Sequence, residues 1–474
     1  MRISCGIPSL DDILGGGLIP GRAYLIRGEP GVGKTTLGMQ FLLEGTNRGE
    51  SSLFITLSEN PESIKANALA LELDPQGVHF LDLSPTPQYF AEVETYDIFS
   101  PAEVEREPIT SAIVRKIEEV TPKRVFIDSL TQFRYLAPDS FQYRKQVLSL
   151  IRFLIEKGIT VMFTSESSHE APDEDLQFVA DGIIELDRDE KAFRIQVTKM
   201  RGSTFLPGVH IMRIGNGGIS VFPRIIPFSF SRNFAMEKVP TGIVGLDEML
   251  RGGIERGTVT IISGPSGVGK TLLALTIVCE ACVRGHKAAV YTFDEDVETI
   301  IRGGERIGLK IPLMVGDGRL TLKHIPPLVL TPEEFAHMVL MDVEKRNVKY
   351  VLLDSLSGYG LSVMGEDLRK HLHILCRILT ARGVTVFIPN ELNDIVGERV
   401  ILGLDVNYLA DNIILLRYYE YEGEIRRCIG IIKMRISDFD KSFRSFEITP
   451  RGIIVGSPLK KMRGLLTGIP GKEE

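Results

Sequence analysis

Short apolar runs rich in β-branched residues alternate with amphipathic stretches along the chain. In the first half, residues 24–26, 53–57, 125–128, 161–164 and 183–186 read as strands. Most are almost continuously apolar, as expected of a parallel sheet covered on both faces. The stretches 35–44 and 142–157 place apolar residues at helical spacing between them, which predicts an α/β doubly wound layout. Residues 195–199, 211–214 and 219–222, separated by glycine-containing turns, predict antiparallel strands added at the sheet edge.

The pattern then starts again. Gly6-Ile7-Pro8-Ser9-Leu10-Asp11-Asp12-Ile13-Leu14 recurs as Gly242-Ile243-Val244-Gly245-Leu246-Asp247-Glu248-Met249-Leu250, an offset of 236 positions. Phe126-Ile127-Asp128-Ser129-Leu130 is answered by Leu352-Leu353-Asp354-Ser355-Leu356, and Lys199-Met200-Arg201 by Lys433-Met434-Arg435. Order is kept with small insertions and deletions, so a whole domain has been duplicated. The boundary is expected within residues 222–238, which hold Pro223 and Pro227 and lack periodicity. The expected domains are 1–232 and 233–458, with a short flexible tail at 459–474.

Each half carries one glycine-rich loop between a strand and an apolar helix: Gly28-Glu29-Pro30-Gly31-Val32-Gly33-Lys34-Thr35 and Gly264-Pro265-Ser266-Gly267-Val268-Gly269-Lys270-Thr271. GxxxxGK[ST] in that context is a phosphate loop. The glycines Gly28, Gly31, Gly33, Gly264, Gly267 and Gly269 let the backbone wrap the phosphates, with N–H groups and a helix N-terminus facing the anion. Lys34 and Lys270 are placed to reach the β- and γ-phosphates, Thr35 and Thr271 to ligate Mg²⁺, and Thr36 and Leu272 to complete each loop. Asp128 and Asp354 each end an apolar strand, where a carboxylate can hold Mg²⁺ through water. ATP and Mg²⁺ are therefore the expected ligands.

Hydrolysis also needs a group that orients or deprotonates the attacking oxygen. Glu59 and Glu295 occupy matched positions after the second strand of each half, preceded by Ser58 and Asp294 respectively. Lys199, Arg201, Lys433 and Arg435 lie on an expected edge strand far in sequence from the phosphate loops. In a closed ring such residues can reach a neighbour's γ-phosphate in trans.

Together these motifs resemble the KaiC branch of the RecA superfamily over nearly the whole chain. Lys199-Met200-Arg201-Gly202-Ser203-Thr204 is the most specific segment, and Asn412-Ile413-Ile414-Leu415-Leu416 is similar to the matching strand of the second KaiC module. The resemblance implies two tandem RecA-like P-loop domains in a double-ring homohexamer, with ATP between subunits. It implies a slow ATPase in the first module. In the clock members it implies an autokinase and autophosphatase in the second, acting on a Ser-Thr pair of the neighbouring subunit. The chain departs from that pattern at several places. Asn407-Tyr408 stands at the acceptor position, and no Ser or Thr occurs between Asn393 and Asn412. The family's paired glutamates read Ser58-Glu59 and Asp294-Glu295, Ile436 replaces Gly202, and the tail is short. The expectation is a regulatory or signalling ring ATPase with an unidentified protein partner and without the clock's kinase step.

Composition narrows the alternatives. The net charge of −7 lacks the basic excess of a nucleic-acid coat, which disfavours a DNA- or RNA-dependent motor. Phe133-Arg134-Tyr135 and Phe141-Gln142-Tyr143-Arg144-Lys145 interleave aromatic and basic residues, yet they read better as a loop and helix start packed at a subunit interface than as a base-stacking loop. An autokinase would need a non-standard acceptor, for which Thr380, Thr385 and Ser437 are available. Cys279 and Cys282 have no second pair to complete a zinc site and read as core. His371 and His373 fall on different helix faces. Five cysteines without framework spacing, no apolar run of the ~18 residues a membrane span needs, and an N-terminus without a signal-peptide core lead to a cytoplasmic expectation.

Overall fold

A computed structural model describes residues 2–84, 106–134, 139–165, 173–190, 192–225, 234–364, 367–392, 409–460, 462–466 and 471–472. The chain divides into two compact units, Met1–Arg224 and Ile225–Glu474.

In the first unit the strands are β1 (Ala23–Arg27), β2 (Ser52–Thr56), β3 (Val78–Asp82), β4 (Arg124–Asp128), β5 (Thr160–Ser165), β6 (Gly182–Arg188), β7 (Phe193–Met200), β8 (Val209–Gly215) and β9 (Gly218–Phe222). They form one nine-stranded sheet in the order β3-β2-β4-β5-β1-β6-β7-β8-β9. The pairings from β3 through β6 are parallel and those from β6 through β9 antiparallel. Flanking helices are α1 (Pro8–Ile13), α2 (Lys34–Asn47), α3 (Pro61–Ala70), α4 (Arg106–Val120), α5 (Ser140–Glu156) and α6 (Glu174–Val179). The apolar strand runs are buried because helices cover both faces: Tyr24, Ile26, Phe54, Phe126 and Met162 face α2, while Leu25, Leu53, Ile55, Val125 and Phe163 face the side of α5. Strand and helix ends differ from the sequence expectation by one to three residues, where capping rather than periodicity decides. Asp139, for instance, caps α5 by accepting from the Gln142 N–H at 2.7 Å.

The second unit repeats the plan. Its small ladder of β10 (Lys238–Val239) and β11 (Ile254–Glu255) precedes β12 (Val259–Gly264), β13 (Lys287–Thr292), β14 (Leu320–His324), β15 (Val348–Asp354), β16 (Thr385–Glu391), β17 (Asn412–Tyr421), β18 (Glu424–Met434), β19 (Arg444–Thr449) and β20 (Gly452–Pro458). The sheet order, β14-β13-β15-β16-β12-β17-β18-β19-β20, matches the first strand for strand. Its helices are α7 (Val244–Met249), α8 (Lys270–Val283), α9 (Val297–Glu305), α10 (Ile311–Gly316), α11 (Pro332–Arg346), α12 (Leu356–Ser362) and α13 (Leu368–Ala381). Within residues 459–474, Leu465 is buried beside Tyr419 and Cys428.

One expectation needs correction. Lys199 and Lys433 do not lie on edge strands: β7 and β18 each have a partner on both sides, and β9 and β20 form the edge. Three successive short antiparallel pairings extend each sheet, and local sequence does not say which of them ends it.

Candidate functional site

β1 and β12 sit inside their sheets and release the chain at their C-terminal ends, the end at which open α/β sheets bind ligands. The glycine loop turns there because only glycine tolerates the geometry. Gly33 and Gly269 have φ of 97° and 110° and lead directly into α2 and α8. A side chain on Gly28 would place its Cβ 2.2 Å from the Leu186 carbonyl oxygen. Lys34 Nζ donates back to the carbonyls of Gly28 and Glu29 at 2.7 and 2.9 Å, and Lys270 Nζ to Pro265 at 2.9 Å. Burial holds the Lys270 ammonium below its ordinary pKa, although the nearby carboxylates of Glu391 and Asp354 act the other way.

The strand-end carboxylates arrive next to these loops. Thr35 donates to Asp128 Oδ2 at 2.7 Å, and Thr271 to Asp354 Oδ1 at 3.1 Å. One strand, β5 or β16, separates each P-loop strand from its Asp strand. In the first unit that strand contributes Thr164, whose hydroxyl donates to the second oxygen of Asp128 at 2.5 Å. In the second unit Pro389 holds the corresponding place and has no donor to offer. Thr164 was not found by sequence reasoning, because its adjacency to Asp128 exists only in the sheet. The strand-end register Ile127↔Phe163 creates it.

The acidic positions differ more. Asp294 accepts from Ser355 Oγ at 2.9 Å and packs against Gly358, where a Cβ would come within 2.4 Å of Asp294 Oδ2. In the first unit Ser58 replaces Asp294 and Gln132 replaces Gly358. There the buried Ser129 hydroxyl, the counterpart of Ser355, finds no partner among the described residues. Glu295 is held above the ordinary carboxylate range, first by shielding of its carboxylate although the residue as a whole is exposed, then by Asp294 and Asp296. Burial, with Glu295 and Asp294 nearby, lifts Asp354 to about 7 against the opposing hydrogen bond from Thr271. Glu59 is exposed and accepts from Asn67 at 3.2 Å; Thr35, Thr36, Glu59 and Asn67 line one cavity of about 150 Å³. Leu272 is half-buried against the second unit's core.

A divalent cation fits these sites in a specific sense. Each offers one threonine hydroxyl and one carboxylate, while no group of three His, Cys, Asp or Glu suited to a metal occurs among the described residues. That sparse protein donor set is what Mg²⁺ uses when phosphates and water supply the remaining ligands.

The remaining expected residues lie elsewhere. Lys199 pairs with Ile183 near the start of β6, whereas the P-loop leaves the far end of β1. Its ammonium donates to the Gln177 carbonyl at 2.7 Å; Arg201 donates to the Phe178 carbonyl at 3.4 Å and forms an ion pair with Asp181 at 3.7 Å. Lys433 donates to Ala410 at 2.8 Å and Arg435 to Asp411 at 3.2 Å. Neither pair touches the P-loop of its own unit. Thr380 and Thr385 are buried, and Ser437 donates to Glu255 at 3.2 Å. Asn407, Tyr408 and Tyr135 lie outside the described residues. Phe133 and Tyr143 are core residues, the latter covered by the Arg134 guanidinium at 4.9 Å. Cys279 and Cys282 are buried, their thiols pushed up to about 12 and 11 chiefly by burial. His371 Nε2 lies 3.4 Å from Glu333. No helix among the described residues is long and apolar enough to cross a membrane.

Fold and site together define a tandem RecA-like P-loop ATPase. The chain belongs to the KaiC ATPase family, whose profile, described as "ATPase: KaiC", matches residues 3–225 and again 239–460. Circadian clock protein KaiC3 of Synechocystis is 29% identical over 99% of this chain and 94% of its own length. The circadian clock oscillator proteins KaiC of Parasynechococcus marenigrum and Thermosynechococcus vestitus are 27% and 28% identical over 99% of this chain, covering 93% and 92% of their lengths.

Proposed function

We propose that this KaiC-family ATPase hydrolyses Mg-ATP at both modules within a homohexameric ring, and that its nucleotide state governs association with a regulatory protein partner in the cytoplasm. The observation that carries this reading is the duplicated contact of P-loop threonine and strand-end carboxylate, Thr35–Asp128 and Thr271–Asp354, at the same topological position. Lys34 and Lys270 bind the β- and γ-phosphates, and the threonine–carboxylate pairs hold Mg²⁺. The cation, when bound, neutralises charge developing on the phosphates. Glu59 and Glu295 orient the attacking water and accept its proton, with shielding from solvent and then Asp294 raising the proton affinity of Glu295. Lys199, Arg201, Lys433 and Arg435, turned away from their own P-loops, reach the nucleotide of an adjacent subunit.

Asn407-Tyr408 at the acceptor position separates this chain from a serine/threonine autokinase of clock type. The test is a time course with γ-labelled Mg-ATP, following released phosphate and protein-bound label together, beside sedimentation with and without nucleotide. Released phosphate, no stable label and a nucleotide-dependent hexamer are expected. Stable label would reinstate the kinase, a monomer under every condition would end the ring, and several-fold stimulation by single-stranded DNA would turn the reading to a nucleic-acid motor.

A further inference from the structure

An ionic cluster around the buried Asp173 in the first unit joins the end of the P-loop strand to the residues that hold Lys199 and Arg201. Arg27, the last residue of β1, donates through Nε and Nη2 to both oxygens of Asp173 at 2.9 and 3.0 Å, and through Nη1 to Glu185 at 2.8 Å. Asp173 is 4% exposed. Its oxygens also accept from Ser165 at 2.7 Å and Gln177 at 2.8 Å. Four donors on one buried carboxylate leave it no second arrangement at low cost, and a bidentate guanidinium fixes direction as well as distance.

Asp173 immediately precedes α6, and the other end of that short helix carries the cation contacts. The Gln177 carbonyl accepts from Lys199 and the Phe178 carbonyl from Arg201. Just beyond, the Asp181 N–H donates to the Ala23 carbonyl at 2.7 Å, at the opposite end of β1. α6 therefore lies along β1, clamped to the P-loop end by Arg27 and to the other end by Asp181. Gln177 belongs to both sets: its side chain reads the Asp173 carboxylate and its backbone positions Lys199.

Among the described residues the second unit lacks this arrangement. Ser263 stands at the place of Arg27, Leu415 at that of Glu185 and Asn390 at that of Ser165, with one 3.4 Å contact between Asn390 and Ser263. The clamp is thus not a general requirement for building a P-loop on this sheet.

We infer that Arg27 and Asp173 are positioning residues that couple the nucleotide state of the first module's own P-loop to Lys199 and Arg201, and through them to the neighbouring subunit's site. This rests on the ring reading proposed above. A shift of the P-loop on binding or hydrolysis moves the end of β1. The Arg27–Asp173 pair transmits that shift to α6, and the carbonyls of Gln177 and Phe178 carry the two cations with it. The first-module sites then hydrolyse ATP cooperatively.

The test uses the full chain carrying Lys270→Ala, so that first-module turnover is read alone. Arg27→Ser reproduces the second module, Asp173→Asn keeps the shape without the charge, and Arg27→Lys keeps the charge without the fork. Phosphate release is measured against ATP concentration, nucleotide affinity with a fluorescent ATP analogue, and assembly by sedimentation. With rings intact, Arg27→Ser and Asp173→Asn are expected to drop the Hill coefficient from above one to one and to lower kcat roughly ten- to a hundredfold, as for a misplaced reacting group, with affinity within about twofold. The double variant should be no worse than either single one, and Arg27→Lys should recover part of the loss. Intact rings with unchanged kcat and Hill coefficient overturn the inference and leave the ring standing. So does loss of kcat in step with affinity, which marks a role confined to the chain's own pocket. A parent chain that never assembles overturns both readings.

Discussion

The two nucleotide sites share a sheet order, a glycine loop and a lysine–threonine–aspartate set, yet they present different electrostatics. In the first, Asp128 receives hydroxyls from both Thr35 and Thr164. In the second, Asp354 receives the hydroxyl of Thr271 and shares its surroundings with Asp294 and Glu295. The glycine loop, lysine, threonine and aspartate are repeated in both units, while the donors around them differ. The contrast teaches that equal motifs do not make equal sites: a proline in place of a threonine, one strand away, decides how well a buried carboxylate is supported.

The strongest test of the comparison removes the phosphate lysines. Lys34→Ala and Lys270→Ala should each abolish nucleotide binding at one module only, so that equilibrium binding falls from two nucleotides per chain to one. If either change emptied both modules, they could not be treated as independent pockets.

A smaller but still large effect is expected with pH. Asp354 is raised in the folded chain from 3.8 to about 7. A raised carboxyl means that the folded state binds more protons between those values, so stability is fully present below about pH 4 and is lost as pH rises toward 7. The loss is on the order of a few kcal/mol in nucleotide-free protein. Mg-ATP favours the ionised form, so affinity at the second module should rise over the same window. Asp354→Asn should flatten the dependence of thermal unfolding on pH; an unaltered profile would remove Asp354 as its source.

Thr164→Val tests the difference directly. It takes one hydroxyl from Asp128 while keeping the volume, and should cost about 1–2 kcal/mol in Mg-dependent binding at the first module, roughly a tenfold weaker affinity. Unchanged titration would mean that the 2.5 Å contact contributes nothing beyond packing. The smallest effect is expected from Asp294→Ser, which imitates Ser58. Loss of one neighbouring charge should lower the Glu295 and Asp354 pKa values and shift the second module's pH–rate profile to lower pH. The reverse change, Ser58→Asp, is best made with Gln132→Gly beside it, since a side chain at the Gly358 position would displace the Asp294 carboxylate from its place beside Ser355.

Most of the architecture was legible beforehand because it follows from local periodicity repeated twice. Eight of the first unit's nine strands, the helix behind each P-loop and the carboxylate at each Asp-Ser junction needed no tertiary information, whereas the outer strand β3 was missed. The edge position given to Lys199 was wrong because counting strands does not order them. The Thr164–Asp128 contact, the Asp294–Ser355–Gly358 arrangement and the Arg27–Asp173 clamp were invisible for a related reason. Each joins residues from different strands or loops, 36, 61 and 146 positions apart in their hydrogen-bonded pairs.

What the sequence alone determined is the composition of each site: a phosphate loop that only glycine can form, a lysine, a threonine and a strand-end aspartate, present twice. Those features are local, and a P-loop works through its own backbone and its own helix. Tertiary structure decided which neighbours complete each carboxylate and where the Lys-Met-Arg segments lie. Such contacts depend on strand register and on burial, and a buried charge answers to every donor the fold brings within about 3 Å, whatever its distance along the chain.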